Sequence, residues 1–397
     1  MKHATLKHFA TFFLLLVSNV FAATEYTVKG SSDFGTAVAV SGKTLAVING
    51  PAASTGVVYV YQESNNKWSP VAQLTASDGA IFQSVAIYEN TIVAGALADT
   101  VNGNPQQGSV YVFVEGKNGW ADGNETARLT SSDGSTDNFF GESVAISVKT
   151  IIVGAPEAGN TQQGEAYEFT EPANGWASST ETAILTASDG QNQDQFGASV
   201  SVNGVFAAIS ARTSKPGKAY LYHETQGGWQ NMTQTAEITD ADGNVKGFGV
   251  SSVLIAGVLV VGGAGGGDNG PNYYVAVYVE PESGWASSST PTAELTTDEQ
   301  FTRPGFGYGL AANNNFIVVG NPNADDSINP HGQVFLYEKP KTGWASTTET
   351  KRFQPSGSGV HGVGYSVTAT SSGAIFSGAP YTIIDGEDQG AAFGFFY

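Results

Sequence analysis

Apolar and polar residues alternate along this chain in short runs, and nowhere do apolar residues recur at the spacing of a helix. The stretch after Phe140-Gly141 displays the unit. Glu142-Ser143-Val144-Ala145-Ile146 alternates, and a short turn, Ser147-Val148-Lys149, leads to Thr150-Ile151-Ile152-Val153. Gly154-Ala155-Pro156 then opens a polar loop that ends at Gly164. Glu165-Ala166-Tyr167-Glu168-Phe169 alternates again, and a Gly175-Trp176 corner precedes Thr182-Ala183-Ile184-Leu185-Thr186. β-Branched and aromatic residues bounded by turn formers predict four short strands.

This unit recurs. The tryptophans at 68, 120, 176, 229, 285 and 344 follow one another at intervals of 52–59 residues. Nine residues before each stands Tyr59, Tyr111, Tyr167, Tyr220, Ala276 or Phe335. Seven before stands Tyr61, Phe113, Phe169, Tyr222, Tyr278 or Tyr337. A second marker, Phe-Gly, occurs at Phe34, Phe140, Phe196, Phe248 and Phe306, with Phe82-Gln83 and Val363-Gly364 as degenerate copies. Seven units of four strands predict an all-β fold, a seven-bladed β-propeller with four-stranded antiparallel blades. The last unit ends after its third strand, at Gly390 to Tyr397. Tyr26-Thr27-Val28-Lys29-Gly30 precedes Phe34-Gly35 as a fourth strand precedes Phe-Gly elsewhere, so the N-terminal strand is expected to complete the last blade and close the ring.

Composition narrows the picture. Lys2 and Lys7, the apolar run Phe9 to Val17 and the small residues before Ala23 predict a secretory signal peptide over 1–22, leaving 23–397 as a single propeller. No membrane span is expected after it. The 397 residues include 50 glycines and no cysteine, which excludes disulfides and thiolate chemistry. The formal charge of −19 becomes −21 without the leader, which argues against nucleic acid as a partner. A soluble, monomeric protein of the periplasm or the medium is expected.

Phe140-Gly141, Ser143-Val144-Ala145 and Gly154-Ala155-Pro156, together with Gly378-Ala379-Pro380 and the partial copies at Gly50-Pro51, Gly95-Ala96 and Asn321-Pro322, resemble the FG-GAP repeat. That repeat builds the N-terminal propeller of integrin α chains and occurs in many bacterial exported proteins. The resemblance spans the whole chain after the leader and implies a non-enzymatic binding or adhesion module for protein or glycan. Calcium-binding members carry an Asp-x-Asp-x-Asp-Gly-type run between the first two strands. Here those turns are short, such as Ser41-Gly42-Lys43 and Ser147-Val148-Lys149, so no calcium site, other metal or cofactor is carried over.

In an antiparallel meander the second-to-third-strand loops and the blade-to-blade loops share one face, here called upper. Recognition concentrates on such loops. The candidate ligand-binding residues are Asp99, Arg212, Asp268, Tyr273, Asp325, Asp326, Tyr381, Asp385 and Asp388. They predict an acidic face broken by one basic sector, Arg212, Lys215 and Lys218, suited to a cationic or polyhydroxylated ligand. The recurrent Asp-Gly pairs are read as turns, and the tryptophans as packing elements repeated with the blades. Two other functions fit the same pattern. One is a lectin-like propeller with sugar sites between blades. The other is a glycan-acting hydrolase or lyase with carboxylates near the axis. The histidines His223, His331 and His361 fall in different repeats and define no triad or metal spacing, and no catalytic residue is assigned.

Overall fold

The computed structural model describes residues 26–29, 33–50, 55–65, 67–214, 217–240, 246–265, 274–299, 301, 305–324, 330–355, 357 and 359–396. The leader, residues 1–22, lies outside them. The described residues form seven small sheets in a ring, each an antiparallel meander whose first strand is innermost. In blade 3 the strands are Ser143–Ser147, Thr150–Ala155, Glu165–Thr170 and Ala183–Thr186. Blade 7 combines Ser366–Ala369, Ala374–Ala379 and Ala391–Phe396 with Tyr26–Lys29 from the other end of the chain. Tyr26 to Lys29 pair antiparallel with Gly394 to Ala391, so the ring closes as the repeat pattern predicts.

Each hydrophobic cluster joins two neighbouring blades. Ala46, Val58 and Leu74 of blade 1 pack with Phe82, Ala94 and Phe113 of blade 2. Six further clusters repeat this arrangement around the ring. A strand with one buried face needs a partner layer. Here both faces of the second and third strands are buried, one against each neighbour, which is why Thr150–Ala155 reads as a continuous apolar run. The tryptophans join these interfaces: Trp68 meets Phe376 of blade 7 edge-on at 4.9 Å.

The Phe-Gly and Gly-Ala-Pro markers meet across the interface. Phe140 is fully buried and sits edge-on to Tyr167 of its own third strand, 5.3 Å between centroids. The carbonyl of Gly141 points back at blade 2, where Ser84 Oγ donates to it at 2.8 Å. The same bond joins Ser143 to Gly197 (2.7 Å), Ser251 to Gly307 (2.5 Å) and Ser366 to Gly35 (3.1 Å). The last of these crosses the closure. These carbonyls lie directly over the second-strand glycine of the preceding blade. A Cβ on Gly95 would stand 2.1 Å from Gly141 O, and one on Gly154 1.9 Å from Gly197 O. Only glycine permits two backbones to approach so closely.

The outer edges carry a device that the strand pattern does not predict. After each long third-to-fourth-strand corner, the chain runs briefly parallel to the fourth strand of the preceding blade. Leu74-Thr75 pairs with Gly123-Asn124, Leu185-Thr186 with Met232-Thr233, and Leu295-Thr296 with Thr347-Thr348. Single bridges, Leu129 to Ser179 and Ile238 to Ser288, do the same for blades 2 and 4. A side chain two residues after the tryptophan then accepts the outward N–H of that strand: Asp122 from Gln73, Ser178 from Arg128, Asn231 from Ile184, Ser287 from Glu237 and Ser346 from Glu294. Unpaired edge amides are the usual liability of a sheet, and these straps cover them. The third-to-fourth-strand link of blade 1, from Ser64 to Lys67, is too short to supply one.

The Asp-Gly pairs do more than turn the chain. Of the three described after blades 1 to 3, Gly79 alone has positive φ. Their aspartates receive the hydroxyl of the next third-strand tyrosine: Tyr111 to Asp78 (2.8 Å), Tyr167 to Asp133 (3.0 Å) and Tyr220 to Asp189 (2.9 Å). Where Ala276 replaces that tyrosine, Tyr274 reaches Asp240 at 2.6 Å. Burial first, and nearby carboxylates second (Glu165 ahead of Asp133 at Tyr167, Asp189 at Tyr220, Asp240 at Tyr274), hold these phenols far above their usual range, so they remain donors.

Two outcomes follow. Gly154→Ala should lower unfolding free energy by at least about 2 kcal/mol, because backbone rather than a mobile side chain must move. Gly123→Ala, with 3.8 Å to its nearest neighbour, should stay within about 0.5 kcal/mol of the parent. Denaturant melts of both compare them directly. Glu168 gives a pH test. It is fully buried on the third strand of blade 3, and burial raises its carboxyl from 4.5 to about 7, partly opposed by the Thr170 hydroxyl at 2.7 Å. A folded-state value above the unfolded one means stability is complete below about pH 4.5 and is lost as pH rises toward 7. Glu168→Gln should therefore melt a few degrees above the parent at pH 8, with the gap closing by pH 4.

Candidate functional site

A cleft opens on the upper face between blades 6 and 7, with a volume of about 670 Å³. Tyr308 and Tyr365 enter it from the residue that follows each Phe-Gly-type glycine, at the start of the innermost strands. Tyr381 follows Gly-Ala-Pro of blade 7, and Asp388 sits on the hairpin Ile383–Ile384/Glu387–Asp388 inserted in the same loop. Asn323 and His361 complete the polar part of the wall. Asp385 and Gly386, both at positive φ, turn the hairpin (φ 54° and 86°).

The three tyrosines form one assembly. Tyr308 and Tyr365 lie 5.0 Å apart between centroids, and Tyr365 meets Tyr381 edge-on at 5.7 Å. Burial first, and the neighbouring phenols of Tyr308 and Tyr381 second, keep the Tyr365 hydroxyl well above the usual phenol range. Tyr381 rests against Gly362, where a Cβ would come within 2.9 Å of its ring, yet the side chain is 49% exposed. Tyr308 is 36% exposed. These rings are firmly held and still open to solvent. Ile383 adds an exposed apolar surface beside them.

The other sequence candidates are placed differently. Asp99 is committed inside blade 2, where it accepts from Tyr111 at 2.8 Å, from Ser109 and from Arg128 at 2.5 Å. Arg212 pairs with Glu142 at 2.8 Å and donates from Nε to Gln195 at 2.8 Å. Burial outweighs that pairing and pushes the Glu142 carboxyl up. Lys218 is held between Asp189 and Glu237. The basic sector expected around Arg212, Lys215 and Lys218 is therefore neutralised at Arg212 and Lys218, and Lys215 lies outside the described residues. Asp268, Tyr273, Asp325 and Asp326 also lie outside them. Tyr381 and Asp388 share the cleft, and Asp385 stands at its rim.

Tyr308, Tyr365, Asn323 and His361 escaped the sequence reading. A usable signal existed for the first two. The residue after the Phe-Gly glycine is Thr36, Glu142, Ala198 or Val250 in other blades, and tyrosine in blades 6 and 7 alone. The contact between blades 6 and 7 also sets His331 and His361, from different repeats, 5.7 Å apart. Among the described residues no group of three His, Asp or Glu side chains gathers as a metal site.

The FG-GAP repeat family model matches residues 68–113, 124–169 and 179–222. Each match runs from the outer part of one blade to the third strand of the next, so the family's unit spans a blade interface. These three repeats and the seven-bladed ring support an FG-GAP β-propeller protein. FG-GAP repeats occur in extracellular proteins, and their propellers are typically non-catalytic binding modules. No curated protein matches the chain. No helix of the described residues is long and apolar enough to cross a membrane.

Tyr111→Phe tests whether the Asp99 cluster is structural. Removing a phenol shared by two carboxylates should cost about 1.5–3 kcal/mol in denaturant unfolding. The binding properties of the upper face near blades 6 and 7 should not change.

Proposed function

We propose that this FG-GAP propeller is an exported, non-enzymatic binding module that recognises protein or glycan on its upper face, at the cleft between blades 6 and 7. The observation that carries this reading is the tyrosine trio, two of whose rings are exposed beside Asp388 in a 670 Å³ recess. Clefts of roughly 300–1,000 Å³ with apolar walls and a few polar groups are the usual form of ligand sites. The leader-like residues 1–22 support export to the periplasm or medium. The carboxylates Asp78, Asp99, Asp133 and Asp189 each accept from a buried tyrosine hydroxyl, which commits them to packing between elements rather than to a ligand.

The full chain without its leader, fluorescently labelled, should bind saturably to at least one member of a panel of immobilised glycans and extracellular-matrix proteins. The double variant Tyr381→Ala/Asp388→Lys should weaken that binding at least tenfold. Val148→Glu, on an exposed lower-face turn, should leave it intact. Loss through Val148→Glu alone, or turnover of a panel glycan by the parent, would overturn the reading.

A further inference from the structure

We infer that the cleft between blades 6 and 7 is a single pyranose subsite, built to take a neutral or amino-bearing sugar and to reject acidic ones. The inference rests on the binding-module reading above and adds the ligand class.

Repetition separates site from scaffold. Residues needed for blade packing recur around the ring, as the buried Phe-Gly phenylalanines do. Tyr308, Tyr365 and Tyr381 do not. At the corresponding position after the glycine the other blades carry Thr36, Glu142, Ala198 or Val250 and pack without an aromatic ring there. Three tyrosines gathered at one interface, two of them more than one-third exposed, therefore serve something other than the ring. Exposed aromatic rings sacrifice burial that a core position would provide.

The geometry matches the two-sided chemistry of a pyranose. One face of such a ring presents C–H groups, whose slight positive charge suits the negative face of an aromatic ring. The rim presents hydroxyls that need donors and acceptors. Tyr381 is backed by Gly362 and held edge-on by Tyr365, so its orientation is set before a ligand arrives. Tyr308 supplies a second ring beside it. Asp388 stands on the wall where hydroxyls would lie and offers acceptors to them. A protein partner would be expected to meet a broad surface, whereas this is a recess for one or a few rings.

Charge sets the selectivity. Asp388 lines the cleft, and Asp385 and Glu387 stand exposed on the same hairpin. Asp33 lies close enough to Tyr381 to act on its phenol. A carboxylate on the ligand would meet this field unfavourably, while an ammonium group would be attracted.

Saturation-transfer NMR on the full chain without its leader, with methyl glucoside, methyl galactoside, methyl mannoside, glucosamine and glucuronate, tests this directly. At least one neutral pyranoside or glucosamine should receive saturation, strongest on the C–H protons of one ring face. Glucuronate should bind at least tenfold more weakly than glucosamine, and Asp388→Asn should narrow that gap. Tyr381→Ala should reduce transfer at least tenfold, whereas Tyr381→Phe, which keeps the ring, should stay within about threefold. An unchanged melting curve for each variant separates loss of the site from loss of the fold. Absence of transfer to every sugar, or transfer that survives Tyr381→Ala, overturns the pyranose assignment. Protein binding that persists on the upper face would then leave the binding-module reading standing.

Discussion

The contact on which the ring depends is a backbone-to-backbone approach. At five of the seven interfaces the carbonyl of a glycine at the Phe-Gly position lies over the second-strand glycine of the blade before it, too close for any Cβ. That carbonyl is shut away from water, so it needs a donor. A serine hydroxyl from the preceding blade provides one at four interfaces, including the closure from Ser366 to Gly35. Distance and direction between blades are thus set by hard contacts and a directional bond. Apolar clusters then fill the remaining space. Where a phenylalanine precedes that glycine it bridges these two levels, because it carries the interface contact into the third strand of its own blade.

The same economy governs charge. A chain with 36 acidic and 17 basic residues would be expected to repel itself when compact. Several of the acids are engaged as acceptors between elements. Asp78, Asp133, Asp189 and Asp240 each take a tyrosine hydroxyl, and Glu125 and Glu181 take the amides and hydroxyls of Ser77 and Ser132 across the outer straps. Phenols held in the protonated form by burial are suitable donors to such carboxylates. Acid content therefore describes the linkage between blades as much as the surface. The hairpin bearing Asp385, Glu387 and Asp388 is different, because these carboxylates stand exposed on a loop with no blade to join.

This division explains what was legible in the residues. A repeated interface leaves a repeated trace, so the tryptophan spacing, the aromatic offsets and the Phe-Gly register specify seven blades and their closure. The straps left a trace as well, an Asp, Ser or Asn two residues beyond every tryptophan except Trp68, but its meaning depends on which strand lies outside the neighbouring blade. The cleft left almost none. Tyr308, Tyr365 and Tyr381 are far apart in sequence and come together only because two blades lean on one another. Counting aspartates by loop placed Asp99 among ligand-binding residues. In three dimensions a tyrosine and an arginine occupy it.

A symmetric scaffold also makes asymmetry informative. Position by position, the ring supplies several examples of what a blade needs, and any departure must be compatible with the same glycine contacts. Gly307 and Gly364 keep their positive φ and their close approach to the neighbouring blade, while the next residue in each case changes to tyrosine. The backbone is thus held constant and the side chain released from packing. Without cysteine, no covalent staple holds that region in place. The precision of the tyrosine assembly must come from the glycine contacts beneath it, so the scaffold that gives the ring its stability also gives the cleft its shape.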